Sequence, residues 1–270
     1  MTDKFICPLC KKPLILNGKN LVCENNHSYD RAKQGYYHLL LANQKNSKIP
    51  GDNKQMVDSR RDFLNQGFYQ KFQKALCETI KNYTDNINFI LDAGCGEGYY
   101  TNSIKTCFPN SEIVAFDISK FAVKSASGTY KNINFAVASS FEIPVKSESF
   151  DVLINIFSPM VENEFARVLK KDGIFIFAVP GKKHLYELKE ILYKNPYENE
   201  EKDTDYNGFK FLERVSVTDE IEIKDNKTIW NLFSMTPYYW KTGKNGSEKL
   251  KEVNYLKTKI HFDFLVYKKM

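Results

Sequence analysis

Between Asp58 and about Tyr83, apolar residues recur at Phe63, Leu64, Phe68, Phe72, Leu76 and Ile80 with helical spacing, and Gly67 divides the segment into two predicted helices. Beyond it the period changes. Ile87–Leu91, Glu112–Phe116, Ile133–Val137, Val152–Ile156 and Ile174–Val179 read as short buried strands, separated by helical stretches at about 98–108, 119–130, 163–170 and 184–194. Strand alternating with helix at this spacing predicts a parallel, doubly wound α/β sheet. After a polar acidic stretch from Asn195 to Asp205 come strand-like Phe209–Val217 and Ile221–Ile223, an aromatic helix candidate at Thr228–Trp240, and a last strand at Ile260–Tyr267. The Lys-rich run from Lys241 to Lys259 reads as surface. Upstream, residues 1–40 behave differently: short pieces at Leu14–Leu16 and Asn20–Cys23 flank a Gly18 turn, as in a small ribbon. Residues 42–56 are polar, carry Pro50-Gly51 and show no periodicity, so residues 41–57 are expected to be a linker and residues 58–270 the main domain.

The 270 residues are 42 % hydrophobic and 14 % aromatic, enough for a packed core, which excludes a disordered or fibrous chain. The apolar runs are far shorter than the roughly 20 residues that cross a bilayer, and Met1–Lys12 lacks a secretory pattern, so no membrane partner and a cytoplasmic location are expected. A net charge of +6 leans toward polyanionic partners without deciding for them.

The sharpest chemical signal is Asp92-Ala93-Gly94-Cys95-Gly96-Glu97-Gly98, between a predicted buried strand and a helix. Glycines at 94, 96 and 98 allow a tight turn and close ligand approach, and the helix start beyond offers free N–H groups. The order D-x-G-x-G-x-G differs from the G-x-G-x-x-G of dinucleotide sites and resembles the first motif of Rossmann-like S-adenosylmethionine-dependent methyltransferases. Asp117, 25 residues after Asp92 at the end of the second strand, is placed to accept ribose hydroxyls. Cofactor contacts are therefore expected from Asp92, Gly94, Gly96 and Asp117.

Cys7-x-x-Cys10 and Cys23-x-x-x-His27, twelve residues apart, supply two close pairs of ligands suited to a closed, structural tetrahedral Zn²⁺ site. Cys77, Cys95 and Cys107 have no partners at ligand spacing and read as free thiols.

The Cys7-Pro8-Leu9-Cys10 ribbon, the run from His27 to Tyr36, Pro50-Gly51-Asp52, Arg60-Arg61, Gly67-Phe68-Tyr69 and the glycine loop together resemble the bacterial 23S rRNA (guanine-N1)-methyltransferases of the RlmA/TlrB type. The likeness extends over essentially the whole chain, through Phe150-Asp151, Ala166–Lys170, Pro180–Leu185 and Met235-Thr236-Pro237. It implies a mostly parallel seven-stranded Rossmann-like sheet behind an RNA-recognising zinc ribbon. It also implies S-adenosylmethionine as cofactor, N1 of one guanine in a 23S rRNA hairpin loop as acceptor, and a homodimer. Carried over by residue, it adds Tyr69, Glu97, Gly98 and His184 to the cofactor contacts. The subfamily, and with it a housekeeping or macrolide-resistance role, stays open.

Methyl transfer is an in-line displacement in which alignment supplies most of the help, but guanine N1 must lose its proton. Asp30 and Glu164 are candidate acceptors, and Phe157, in the loop Asn155-Ile156-Phe157-Ser158-Pro159, is a candidate for stacking on a flipped base. Arg31, Lys33, Lys45, Lys48, Arg60 and Arg61, interleaved with Tyr29, Tyr36 and Tyr37, form a candidate rRNA surface. Two other readings remain: a methyltransferase acting on a small molecule, against which the ribbon argues, and a non-catalytic RNA-binding protein, against which the intact glycine loop argues.

Overall fold

The computed structural model describes residues 3–45, 47, 50–201 and 204–270. At the N-terminus, β1 (Ile15–Asn17), β2 (Asn20–Val22) and β3 (Ser28–Tyr29) form a three-stranded antiparallel ribbon. A two-residue strand follows, β4 (Tyr37–His38), then a single 3₁₀ turn at Ala42–Gln44. α1 (Lys54–Leu64) starts inside the span expected to be linker, because the Asn53 side chain accepts from the Met56 N–H and caps it. Gly67, at φ +84°, breaks the chain before α2 (Gln70–Tyr83), as the spacing predicts.

The alternating region follows in order: β5 (Phe89–Ala93), α3 (Tyr99–Cys107), β6 (Glu112–Asp117), α4 (Lys120–Thr129), β7 (Asn134–Val137), β8 (Phe150–Ile156), α5 (Glu162–Val168), β9 (Leu169–Pro180) and α6 (Tyr186–Leu192). One long strand, β10 (Phe209–Ile223), replaces the two short ones expected. The helix expected at Thr228–Trp240 is divided into α7 (Asn226–Ser234) and α8 (Tyr238–Lys241) by Pro237, which has no N–H to continue the ladder. The Lys-rich run holds α9 (Lys244–Lys251), whose Leu250 and Gly246 are buried against the fold, so it is more than solvated surface. β11 (Leu256–Lys269) ends the chain.

These strands make one sheet in the order β10-β11-β9-β8-β5-β6-β7-β4, parallel throughout except for β11, which runs antiparallel to both neighbours. The sheet has eight strands, not the seven expected. The eighth is β4: Tyr37 and His38 leave the ribbon and pair with Ala136 and Val137 on the open edge of β7. Further ties fix the ribbon in place. Phe5 bridges Val145, and Lys146 N–H donates to Lys4 C=O at 2.8 Å. Phe5, Cys7, Leu14 and Leu21 share one apolar layer with Leu91, Val114, Ile143 and Val145, so ribbon and sheet are buried together. On the other face, Phe63, Phe72, Leu76 and Ile80 of α1 and α2 cover the sheet with Ile90, Ile154, Phe262 and Phe264.

One expectation about the cysteines is overturned. Cys77 on α2 and Cys107 at the end of α3 are paired as a disulfide, their Cα atoms 6.4 Å apart, because the two helices pack side by side. Cys95 is free, as expected. Among the described residues, no helix is long and apolar enough to cross a membrane.

Candidate cofactor site and metal centre

The loop from Gly94 to Gly98 sits at the carboxyl end of the central strand β5, where open α/β sheets bind ligands. The N–H groups of Gly94 and Cys95 both donate to the Phe116 carbonyl at 2.9 Å, tying the loop to β6. Gly94 and Gly98 both lie at φ +87°. A Cβ on Gly94 would stand 2.4 Å from the Ser158 Oγ, so the loop after β8 passes directly over the turn.

Asp117 accepts from Gly96 N–H at 2.9 Å and from Ser119 N–H at 2.8 Å, one bond to each carboxylate oxygen. It therefore clamps the glycine loop, with lone pairs to spare on both oxygens. Asp92 is buried and accepts from Thr101 Oγ1 at 2.6 Å through Oδ2, while its Oδ1 has no partner. Burial pushes the Asp92 carboxyl up to about 7, and burial does the same for Glu97, against the pull of Arg60 and the Tyr99 N–H. Asp117 is also raised by burial, with its two backbone donors acting the other way.

Tyr69 and His184 meet, their ring centroids 6.4 Å apart, although 115 positions separate them in the chain. Both rings contact Phe262, at centroid distances of 5.0 and 4.5 Å. Burial, reinforced by Lys189 and His261, drives His184 down to about 3, so it is a neutral imidazole. Its Nδ1 accepts from the His261 N–H at 3.3 Å, which leaves the proton on Nε2. The Tyr69 hydroxyl is buried without a partner, as is Asn155 Oδ1, whose amide donates to Ala93 C=O at 2.9 Å. A buried hydroxyl and two buried acceptors left open around a glycine loop fit a ligand that carries both an ammonium and a carboxylate, such as the amino-acid part of S-adenosylmethionine.

Phe157 closes the site. It holds φ +53° at the end of β8, is 44 % exposed, and stacks on Phe72 at 5.8 Å. Glu164 lies elsewhere. Arg167 binds both of its oxygens, at 2.7 and 2.8 Å, and Ile143 N–H donates at 2.6 Å, so this carboxylate braces α5. Asp30 is exposed on the ribbon.

The four predicted metal ligands converge. Cys7, Cys10 and Cys23 Sγ and a ring nitrogen of His27 all lie within 4.8 Å of one another. The Cys10–Cys23 sulfur separation of 3.6 Å is close to the roughly 3.8 Å edge of a tetrahedron with Zn–S bonds near 2.3 Å. Tyr29 lies with its hydroxyl 3.2 Å from Cys7 Sγ, an outer hydrogen bond of the kind that orients metal ligands.

That contact removes Tyr29 from the aromatic RNA surface expected from the sequence, and Tyr36 and Tyr37 are buried in the core. Arg31, Lys33 and Lys45 are exposed, and Lys48 lies outside the described residues. Arg61 reaches Asp58 at 3.7 Å. Arg60 turns inward to the glycine loop, a placement that sequence spacing does not signal.

Two family models match: a methyltransferase domain over residues 85–248, and the N-terminal zinc ribbon of RlmA over residues 5–48. A Bacillus subtilis protein named "Putative 23S rRNA (guanine-N(1)-)-methyltransferase YxjB" is 30 % identical over 97 % of this chain and 96 % of its own length. The chain belongs to the 23S rRNA (guanine-N1)-methyltransferase family. A second member, the 23S rRNA (guanine(748)-N(1))-methyltransferase of Streptomyces fradiae, is 30 % identical over 69 % of this chain and 66 % of its own length. The fold is also that of a solved protein from Anaeromyxobacter dehalogenans, titled a "Putative Type II Methyltransferase". It has a TM-score of 0.51 at 16 % identity, covering 72 % of this chain and 94 % of that one. Membership in the guanine-N1 family accounts for the pairing of a metal-binding ribbon with a methyl-donor loop in one chain.

Proposed function

We propose that this enzyme transfers a methyl group from S-adenosylmethionine to N1 of one guanine in a hairpin loop of 23S rRNA. The observation that carries the reading is the RlmA-type ribbon, with its four metal ligands assembled, packed into the same apolar layer as β5, the strand that leads into an intact glycine loop. That ribbon argues against a small-molecule methyltransferase, since enzymes of this fold acting on small molecules rarely need one. In this reading residues 1–40 recognise RNA, 41–57 connect, and 58–270 carry the chemistry. The enzyme acts in the cytoplasm as a homodimer.

When bound, the cofactor supplies a methyl on a positively charged sulfur, open to displacement along the line of the breaking bond. The chain's own residues do the rest. Gly94, Gly96 and Gly98 admit the ligand to the backbone, and Asp117 holds the loop while taking ribose hydroxyls. Asp92, Glu97 and the Tyr69 hydroxyl face its amino-acid part, and the neutral His184 donates from Nε2. Phe157, already stacked on one face, offers the other to a flipped guanine. Zn²⁺ on Cys7, Cys10, Cys23 and His27 keeps the ribbon folded.

The test is incubation with tritiated S-adenosylmethionine and 23S rRNA that lacks the modification, followed by reverse-transcription mapping. A methyl at N1 blocks pairing, so a stop at one hairpin guanine is expected. Label that never enters rRNA, despite tight cofactor binding, would overturn the reading.

A further inference from the structure

Arg60 is a cation held among the acidic groups of the site. It projects from α1 with a side chain one-quarter exposed, and the carboxyl groups of Asp52, Asp117 and Glu97 all act on it. Its Nη1 pairs with the Asp52 carboxylate, and its Nη2 donates to the Met235 carbonyl at 3.1 Å, in the corner between α7 and α8. A Cβ placed on Gly96 would lie 3.7 Å from Nη1, so the guanidinium rests directly over the glycine loop.

Its anchor is equally fixed. Asp52 C=O accepts from Ser119 Oγ at 2.6 Å. Gly51 is pressed so closely onto the end of β6 that a Cβ there would meet Ile118 at 2.8 Å. Gly51 also holds φ +74°. A guanidinium has five N–H donors in a rigid fork, and Asp52 and Met235 engage two. The remainder suit a planar carboxylate. Beside the carboxyl groups of Asp92, Glu97 and Asp117, this guanidinium is a fixed positive group with which a cofactor carboxylate can pair.

We propose that Arg60 binds the carboxylate of the cofactor's amino-acid part, oriented by Asp52 and Met235. This inference rests on the cofactor reading above. It makes the turn at Pro50–Asp52, which follows the ribbon, one wall of the cofactor site.

The test is calorimetric binding of two ligands to the full chain: S-adenosylhomocysteine, and its decarboxylated analogue, identical save for the carboxylate. Wild type is expected to prefer the first. Arg60→Gln should weaken S-adenosylhomocysteine about 10- to 100-fold, the scale of a charged hydrogen bond, and change the analogue by less than about twofold. Arg60→Lys, which keeps the charge but not the fork, should fall between. Equal losses for both ligands, no loss for either, or a wild type indifferent to the carboxylate would each overturn the assignment. A wild type that binds neither ligand would instead overturn the cofactor reading itself, and this inference with it.

Discussion

Asp92 shows how a single buried group can make a fold sensitive to pH. In an unfolded chain an aspartate titrates near 4, whereas burial raises this one to about 7. Between those values the folded protein holds a proton that the unfolded chain has released, so stability falls as pH rises through that window. The ligand-free enzyme is therefore expected to melt higher near pH 5 than near pH 8. Asp92→Asn should shrink that difference, leaving the parts due to Glu97 and Asp117 and the smaller, opposite part due to the depressed His184. A variant with an unchanged slope in a pH series of thermal scans would refute the assignment to Asp92. Tyr69 makes the complementary case. Its hydroxyl is buried without a partner, so Tyr69→Phe should leave the melting temperature unchanged or slightly raised, while S-adenosylhomocysteine affinity drops several-fold. The glycine loop and the four metal ligands were legible in the sequence, because their chemistry depends on short spacings. Arg60 was not, since what turns it inward is Asp52, Met235 and Gly96, brought together only by folding.

At the scale of elements, α2 and the ribbon each hold more than their own length. Phe72 of α2 touches Tyr100, Phe157, Phe262 and Phe264, and so links the helix, the loop after β8 and the last strand. Phe72→Ala should cost about 3–5 kcal/mol in chemical denaturation, with Phe157 losing its stacking support as well. The ribbon has too few residues to fold on its own core, so Zn²⁺ removal is expected to unfold it. Because Phe5, Cys7 and Leu14 are continuous with the sheet's apolar layer, chelation should lower the melting temperature of the entire protein, not release an inert tail. Thermal scans with and without chelator, alongside metal analysis, check this. Periodicity revealed nearly all of the alternating strands and helices. It missed β4, which is only two residues long, and the Cys77–Cys107 pair, which depends on how α2 packs on α3.

At the scale of the molecule, the connection after the ribbon has two fixed ends: β4 on the sheet edge and the Pro50–Asp52 turn on Ser119. Lengthening it by four residues after Lys45 should leave the ribbon seated and slacken the turn, so cofactor affinity should fall while the nucleotide chosen does not change. Binding measurements and reverse-transcription mapping on the same variant separate the two effects. The pairing of Tyr37 and His38 with β7 carries a broader meaning. They extend the very sheet that bears the glycine loop, and with the shared apolar layer they tie the ribbon to it. On the proposed function the protein then works as a caliper whose jaws are set during folding. A hairpin is accepted or refused by its dimensions, and the guanine that is modified is the one lying at the set distance from the metal-bound end.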